Sequence, residues 1–248
     1  MKRTLSFLLS AALLPAAAFA ADTPQHWSYK GATGPQNWGK LEQDFSTCKL
    51  GHNQSPIDIR KTSKAKLPPL EFAYHPSPLK ILDNGHTIQV NYAAGSGVTI
   101  DGKRYELLQF HFHKPSEEKI NGRSYPMVAH LVHKNEEGKL AVVAVLFRKG
   151  APNPLVQTLW DALPKEKGEP QEVAGVSIDI GTLLPGAQGY YNFAGSLTTP
   201  PCSEEVNWFV LKTPVEMSGA QLKRFAQVYK HNARPVQPLN GRTVQESL

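Results

Sequence analysis

Hydrophobic and polar residues alternate in short runs along most of the chain, and the runs end at Gly, Asn, Asp or Pro. This pattern is typical of β-strands joined by tight turns. Two hairpins are predicted, at residues 79–92 around Asp83-Asn84-Gly85 and at residues 98–112 around Asp101-Gly102. Further strands are predicted over residues 127–134, 140–147, 191–197 and 206–212.

Helical periodicity is confined to two short segments. Residues 153–163 begin with the capping pair Asn153-Pro154 and end before Pro164, and Ser218 to Gln221 has capping-box spacing ahead of Leu222, Phe225 and Val228. The sequence therefore predicts about ten strands and only two helices. This ratio predicts a mainly β (α+β) single domain with one large, mostly antiparallel sheet and a few short peripheral helices. Residues 27–44 and 232–248 have no period and are expected to cross the sheet as coil.

The first twenty residues differ from the rest. Lys2 and Arg3 precede an apolar run that ends in the small-residue triplet Ala18-Phe19-Ala20. This predicts a secretory signal peptide over residues 1–20, cleaved after Ala20, and a mature domain over residues 21–248. The alternative, a membrane anchor, needs a longer apolar run. The protein is therefore expected in the periplasm, or outside the cell where no outer membrane exists, without a membrane anchor.

Composition narrows the class of protein further. The chain has 248 residues and a formal net charge of +6, with 40% hydrophobic and 19% charged residues, which excludes a disordered or collagen-like chain. The positive charge is spread out and forms no basic stripe with interleaved aromatic residues, so no nucleic-acid partner is expected. An oxidising compartment favours a disulfide between Cys48 and Cys202, the two cysteines of the chain; the alternative is two buried thiols.

Histidines carry the clearest candidate chemistry. His111 and His113 lie two apart on a predicted strand, so their side chains share one face at a spacing of roughly 6.5 to 7 Å. His130 and His133 on the next strand must face opposite ways, so only one can join the pair. If the two strands are neighbours, His130 completes a three-histidine set with an open fourth position, the pattern of catalytic zinc. From the residues alone it is equally open whether these histidines bind a metal or only make ordinary hydrogen bonds.

Six motifs resemble those of the α-class carbonic anhydrases, in particular the exported bacterial branch, and the resemblance runs from Trp27 to about Arg242. In chain order they are Gln54-Ser55-Pro56-Ile57-Asp58-Ile59, Asn84-Gly85-His86, Gln109-Phe110-His111-Phe112-His113, Ser116-Glu117, His130-Leu131-Val132-His133 and Gly195-Ser196-Leu197-Thr198-Thr199-Pro200-Pro201-Cys202. The resemblance implies a twisted, largely antiparallel sheet of about ten strands, in agreement with the strand count.

The resemblance also implies a reaction. It assigns a zinc cofactor to His111, His113 and His130, and reversible hydration of carbon dioxide to bicarbonate and a proton, by attack of zinc-bound hydroxide. His86 matches the shuttle histidine that exports the proton. Thr198 matches the residue whose hydroxyl accepts from the hydroxide and donates to an ionised carboxylate, here Glu117.

Further positions follow from the same resemblance. The implied substrate pocket comprises Val132, Val142, Leu197, Thr199 and Trp208. Gln109 and the backbone carbonyl of Asn232 match the acceptors that hold the rings of the first two ligands. The acceptor for the third ligand is commonly a glutamate two residues before it, a position that Val128 occupies here. We therefore expect another carboxylate, or a water, to serve His130.

Two other functions remain open from the sequence. One is a zinc esterase, since the same hydroxide can attack an activated carbonyl. The other is a secreted binding domain that keeps the fold without the chemistry, although such relatives usually lack a zinc histidine or the Thr/Glu pair. The partners expected for the enzyme are small molecules, namely carbon dioxide, bicarbonate and sulfonamide or anion inhibitors at the zinc. The chain is expected to be a monomer or a homodimer.

Overall fold

The computed structural model describes residues 27–248, so the predicted signal peptide of residues 1–20 lies outside the described residues. The strands are β1 (Asp58–Ile59), β2 (Ser63–Ala65), β3 (Glu71–Ala73), β4 (Ser77–Asp83), β5 (Ile88–Asn91), β6 (Gly97–Ile100), β7 (Lys103–His113), β8 (Lys119–Ile120), β9 (Arg123–Ser124), β10 (Met127–Lys134), β11 (Leu140–Lys149), β12 (Gln171–Ile178), β13 (Tyr190–Ser196), β14 (Glu204–Leu211), β15 (Val215–Met217) and β16 (Gln245–Ser247). The α-helices are α1 (Trp38–Leu41), α2 (Thr47–Leu50), α3 (Pro154–Asp161) and α4 (Gly219–Val228), and 3₁₀ turns cover Gly31–Thr33, Gln43–Phe45 and Ile180–Leu183.

Within residues 27–248, one 13-stranded sheet dominates the fold. Its main path runs β12-β4-β5-β7-β10-β11-β14-β13-β16-β2, and β1, β8 and β9 form a small separate sheet. Most neighbouring strands are antiparallel, whereas β11–β14, β11–β15 and β16–β2 are parallel pairs. The prediction of a mainly β domain with a large, mostly antiparallel sheet and a few peripheral helices is confirmed.

Both predicted hairpins form. Strands β4 and β5 pair antiparallel on either side of the Asp83-Asn84-Gly85 turn, and β6 pairs antiparallel with β7. Asp101 and Gly102 have φ values of 51° and 75°, the left-handed backbone that a two-residue hairpin turn requires. The strands predicted at 127–134, 140–147, 191–197 and 206–212 are confirmed as β10, β11, β13 and β14, with ends shifted by up to two residues.

Alternation along β7 divides its side chains between the two faces of the sheet. Phe110 and Phe112 point into the larger hydrophobic core, where Phe112 contacts the rings of Trp160 on α3 and Phe225 on α4. His111 and His113, with the opposite parity, face the other side of the sheet. A second, smaller core covers that side. His111 and His113 are therefore held by a rigid part of the sheet, because hydrophobic side chains pack against both of its faces there.

The two predicted helices are confirmed. The Asn153 side chain accepts a hydrogen bond from Val156 N at 3.1 Å and caps α3. On α4, Ser218 Oγ accepts from Gln221 N at 3.2 Å while Gln221 Oε1 accepts from Ser218 N at 3.0 Å, which completes the capping box. None of the helices within residues 27–248 combines the length and the apolar character that crossing a bilayer requires.

The expectation of coil at both ends of the domain is wrong in part. Residues 27–44 include α1 and two 3₁₀ turns, held by Trp38, whose Nε1 donates to Ser28 O at 2.8 Å. Residues 232–248 include β16, which pairs with β13 and β2. Strand β16 depends on strands distant in sequence, and Trp38 of α1 lies 5.6 Å from the guanidinium of Arg234, so neither element leaves a local period in the sequence.

Candidate metal centre

Three histidines converge where β7 and β10 pair. The register places His130 directly opposite His111, and His113 lies two residues along the same face of β7. One ring nitrogen from each histidine lies within 4.8 Å of the other two, which is close enough to share one metal ion. His133 points to the opposite side of β10, where its Nε2 lies 2.8 Å from Tyr74 Oη. The structure thus groups His130, and not His133, with His111 and His113.

An oxygen acceptor holds one ring nitrogen of each candidate ligand. Gln109 Oε1 lies 2.8 Å from His111 Nδ1, and the carbonyl of Asn232 lies 2.7 Å from His113 Nδ1, as the resemblance implies. Glu118 Oε1 lies 2.9 Å from His130 Nε2. These bonds leave Nε2 of His111 and His113 and Nδ1 of His130 as the ligand atoms.

The donor set fits a zinc ion. Nε2 of His113 is buried and has no hydrogen-bond partner within residues 27–248, which is costly unless something outside the chain binds it. Burial lowers the pKa of His111 to about 3 and that of His113 well below its usual value, with the charge of His130 adding to both shifts. The two imidazoles are therefore neutral, the form that binds metal. Three neutral imidazole nitrogens with room for a fourth ligand match a catalytic zinc site.

His130 differs electrostatically from the other two ligands. Burial lowers its pKa, but the carboxylates of Glu118 and Glu117 outweigh that effect and the pKa is raised. Both carboxylates are buried beside the ring: Glu117 Oε2 is 3.9 Å from Nδ1 and Glu118 Oε1 is 2.9 Å from Nε2. Two negative groups therefore compensate the positive charge that a divalent ion brings to the site.

Glu117 lies beside His113 and His130, and its hydrogen-bond partners are Arg234 and Thr198. Burial raises the pKa of Glu117 to about 7, while His130, the Arg234 backbone N–H and the Thr198 hydroxyl lower it. The Arg234 N–H donates to Glu117 Oε1 at 2.7 Å. The predicted pair of Thr198 and Glu117 is thus brought together, and the carboxylate accepts from two sides.

The Cys48–Cys202 disulfide forms, as predicted, at the base of the loop that carries Thr198. This loop joins β13 to β14, and Cys202 N donates to Thr199 O at 2.8 Å within it. The Arg234 guanidinium donates to Cys48 O at 2.9 Å. Through Arg234, the disulfide loop and the Glu117 carboxylate are connected.

A cleft of about 110 Å³ opens over the histidines. Its lining includes His111, His113, Thr199 and His86. The ring of His86 stacks on Trp27, with centroids 3.5 Å apart and planes 6° from parallel. The cleft therefore joins the metal ligands to the predicted shuttle histidine.

An apolar row crosses the sheet beside the ligands. Val132 on β10 pairs with Val142 on β11, which pairs with Trp208 on β14. All three belong to the smaller core, and Leu197 packs against it. The Trp208 ring meets the His130 ring edge to face at 4.9 Å. The predicted pocket residues thus form a wall that adjoins the third ligand.

Three site residues were not predicted from the sequence: Glu118, Arg234 and Trp27. Glu118 follows Glu117 directly and reads as a solvated member of an acidic pair, whereas it is fully buried. Arg234 and Trp27 lie in the two aperiodic end segments. The adjacency of two glutamates after a strand that carries ligands was the one signal available for Glu118.

The fold and the donor set together define a domain with one large β-sheet and a candidate site for a single metal ion. Residues 33–248 match the family model described as eukaryotic-type carbonic anhydrase. The chain is 45% identical to the carbonic anhydrase of Pectobacterium carotovorum, over 95% of this chain and 98% of that protein. It is also 45% identical to that of Neisseria gonorrhoeae, over 98% of both. The solved α-carbonic anhydrase of Thermovibrio ammonificans, in complex with sulfanilamide, is 46% identical with a TM-score of 0.85, and the match covers 89% of this chain and 98% of that one.

The chain therefore belongs to the α-carbonic anhydrase family, the zinc enzymes that catalyse the reversible hydration of carbon dioxide.

Proposed function

We propose that His111, His113 and His130 hold a zinc ion at which this chain hydrates carbon dioxide to bicarbonate and a proton. The observation that carries the proposal is the convergence of three imidazole nitrogens, each from a ring held through its other nitrogen, beside an open cleft that His111 and His113 line. Zinc bound there would act as a Lewis acid and make hydroxide available near neutral pH. Side chains of the protein orient the nucleophile, bind the substrate and move the proton.

Thr198 and Glu117 orient the nucleophile. An ionised Glu117 can only accept, so the Thr198 hydroxyl must donate to it and keep its own lone pairs toward the cleft. The Arg234 N–H and a cation at the three histidines both favour the ionised form of Glu117, against the burial that raises its pKa. The direction of this short hydrogen-bond chain selects a nucleophile that donates a hydrogen bond to the Thr198 hydroxyl and points a lone pair at the substrate.

The apolar row of Val132, Val142 and Trp208, together with Leu197, forms the binding wall for carbon dioxide. A small apolar molecule gains little from hydrogen bonds, so an apolar surface beside the ligands is the appropriate receptor. Thr199 lies at the cleft side of the same loop. Bicarbonate, which is polar, is held less well by this wall than carbon dioxide and is released.

His86 moves the product proton from the centre to buffer. Histidine is the side chain suited to exchanging protons around neutral pH. Its place in the cleft lining, stacked on Trp27, supports the role. The Asn84 side chain accepts from His86 N at 3.0 Å and fixes the turn that presents the ring.

The cellular setting is part of the proposal. Export through a signal peptide at residues 1–20 would leave the domain of residues 21–248 in the periplasm, where carbon dioxide and bicarbonate cross the cell envelope. The Cys48–Cys202 disulfide supports an oxidising compartment. Sulfonamides and small anions are the inhibitors expected at the zinc, since the related enzyme of Thermovibrio ammonificans is solved with sulfanilamide.

The test is stopped-flow hydration of carbon dioxide by the mature chain, with zinc loaded, removed by a chelator and restored. We expect activity to follow zinc content through all three states. The matched pair His130→Ala and His133→Gln separates the ligand from its neighbour on the same strand, because the two side chains face opposite ways. Only His130→Ala should lose zinc and activity. A zinc-loaded chain without hydration activity would contradict the proposal.

A further inference from the structure

The side chain two residues before His130 offers it no acceptor. Residue 128 shares the face of β10 with His130, because residues two apart in a strand point the same way. Val128 is fully buried and belongs to the smaller hydrophobic core. Strand β10 therefore supplies no polar side chain to Nε2 of His130, the ring nitrogen that faces away from His111 and His113.

Glu118 supplies that group from a different segment. Its Oε1 lies 2.9 Å from His130 Nε2, and its side chain is fully buried with that of His130. Its second oxygen, Oε2, has no hydrogen-bond partner within residues 27–248. The side chain thus makes one hydrogen bond in this part of the chain, and that bond goes to a ligand histidine.

The backbone that carries Glu118 is pinned on both sides. Ser116 Oγ donates to Glu118 O at 2.7 Å and accepts from Tyr125 N at 2.8 Å, while Ser116 N donates to Tyr125 O at 2.9 Å. Lys119 N donates to Ile57 O at 3.2 Å, where β8 begins to pair with β1. Four hydrogen bonds thus fix the segment from which the carboxylate reaches His130.

Glu117 does not share this task. Its carboxylate faces the other side of the His130 ring, 3.9 Å from Nδ1, and accepts from Arg234 N. Two consecutive glutamates therefore contact the two opposite nitrogens of one imidazole. Glu117 belongs to the Thr198 hydrogen-bond chain, and Glu118 alone reaches Nε2.

We propose that Glu118 is the positioning residue for His130: its carboxylate keeps the proton on Nε2 and presents Nδ1 as the metal ligand, the task that a carboxylate at position 128 would perform from within β10. The proposal rests on the proposed zinc site. Loss of Glu118 should therefore weaken zinc retention even though Glu118 touches neither zinc nor substrate. Removing such an outer hydrogen-bond partner typically costs 10- to 100-fold in metal affinity or activity.

The experiment uses the full mature chain and three variants: Glu118→Ala, Glu118→Gln and the double variant Glu118→Ala with Val128→Glu. Zinc loss to an excess of chelator is measured for each. We expect Glu118→Ala to lose zinc roughly 10 to 100 times faster than the parent chain. Glu118→Gln should lie between the two, because an amide oxygen still accepts from Nε2–H but carries no charge. The double variant should regain most of the retention, because it returns a carboxylate to the His130 face of β10.

Ser116→Ala is the matched control for damage to the segment itself. It removes two of the pinning hydrogen bonds and leaves the carboxylate in place. Zinc loss from Ser116→Ala as fast as from Glu118→Ala would overturn the proposal, since a disordered segment would then account for the effect. Unchanged zinc retention in both Glu118 variants would overturn it as well.

The second readout needs no zinc. Nitrogen-15 spectra of the histidine side chains in the zinc-free chain, recorded at a pH high enough for His130 to be neutral, report which ring nitrogen of His130 carries the proton. We expect Nε2–H in the parent chain and in Glu118→Gln, and a mixture of the two neutral forms in Glu118→Ala. An unchanged Nε2–H form in Glu118→Ala would contradict the proposal. Because this readout is independent of metal, a parent chain that failed to bind zinc would reject the proposed function and still test the role of Glu118.

Discussion

Each candidate ligand has one ring nitrogen held by an oxygen and one left for a metal, and the three oxygens come from three kinds of group. They are a side-chain amide, a backbone carbonyl and a carboxylate. Asn232 does more than supply the carbonyl: its side chain donates to His86 O at 3.1 Å and to Phe112 O at 2.9 Å. One residue thus ties the turn of the proposed shuttle to the strand of the ligands.

Replacing His86 with alanine should slow turnover without removing the chemistry. We expect kcat at low buffer concentration to fall on the order of 100-fold, since a positioned proton-transfer group contributes about that much, and kcat/KM to change little because the proton leaves after bicarbonate has formed. Added imidazole should restore kcat. The measurement is stopped-flow hydration over a range of buffer concentrations.

His52→Ala is the control for this variant, because His52 is an exposed histidine outside the cleft lining. It should leave turnover unchanged at every buffer concentration. A His86→Ala enzyme that turned over normally in dilute buffer would remove His86 from the pathway of the proton.

Single residues are where sequence prediction was both strongest and weakest. The ligand set was predictable because strand alternation gives His111 and His113 one face and separates His130 from His133, and the family resemblance selects His130. Glu118 was not predictable, because the sequence around it does not reveal that the segment folds back under β10. Arg234 was missed for the same reason, since its contacts with Glu117, Ser55 and Cys48 all span more than a hundred residues.

Among the secondary-structure elements, local signals account for the hairpins and for both longer helices. The Asp101-Gly102 turn and the Ser218 capping box each specify their element through bonds that lie within four residues. The short strands β1, β2 and β16 carry no such signal and exist because distant segments pair with them.

Removing the cap of α4 tests how much this local signal contributes. Ser218→Ala should lower the free energy of unfolding by about 1 kcal/mol, since Ser218 Oγ no longer accepts from Gln221 N. Thr158→Ala within α3 is the matched control, because it also removes a hydroxyl from a helix but affects no cap. The measurement is urea-induced unfolding followed by circular dichroism. An equal loss of stability in the two variants would mean that the cap contributes nothing specific.

For the molecule as a whole, burial of neutral histidines makes stability depend on pH. His133 is fully buried on the side of β10 away from the ligands, and burial lowers its pKa to about 4. The unfolded chain takes up a proton at this residue near pH 6.5 and the folded chain near pH 4. Between those values the unfolded state binds more protons, so stability falls as the pH decreases.

This linkage predicts a specific difference between two variants. In zinc-free chain, the parent should lose about 2 kcal/mol more unfolding free energy between pH 7 and pH 4.5 than His133→Gln does, because glutamine cannot take up the proton. His75→Gln, at an exposed histidine, should keep the pH dependence of the parent. The measurement is urea unfolding at both pH values. If His133→Gln and the parent showed the same pH dependence, His133 would not be the source of the extra loss of unfolding free energy at low pH.

The sequence by itself determined the strand content, the turns, the helix caps, the shared face of His111 and His113 and the opposite faces of His130 and His133, because these depend on periods of two or 3.6 residues and on short-range hydrogen bonds. Only the tertiary structure decided that β10 lies beside β7 in the register that pairs His130 with His111, and that Glu118 rather than residue 128 serves the third ligand. The physical reason is that long-range pairing and burial bring together groups far apart along the chain, and no local pattern records which of them will meet.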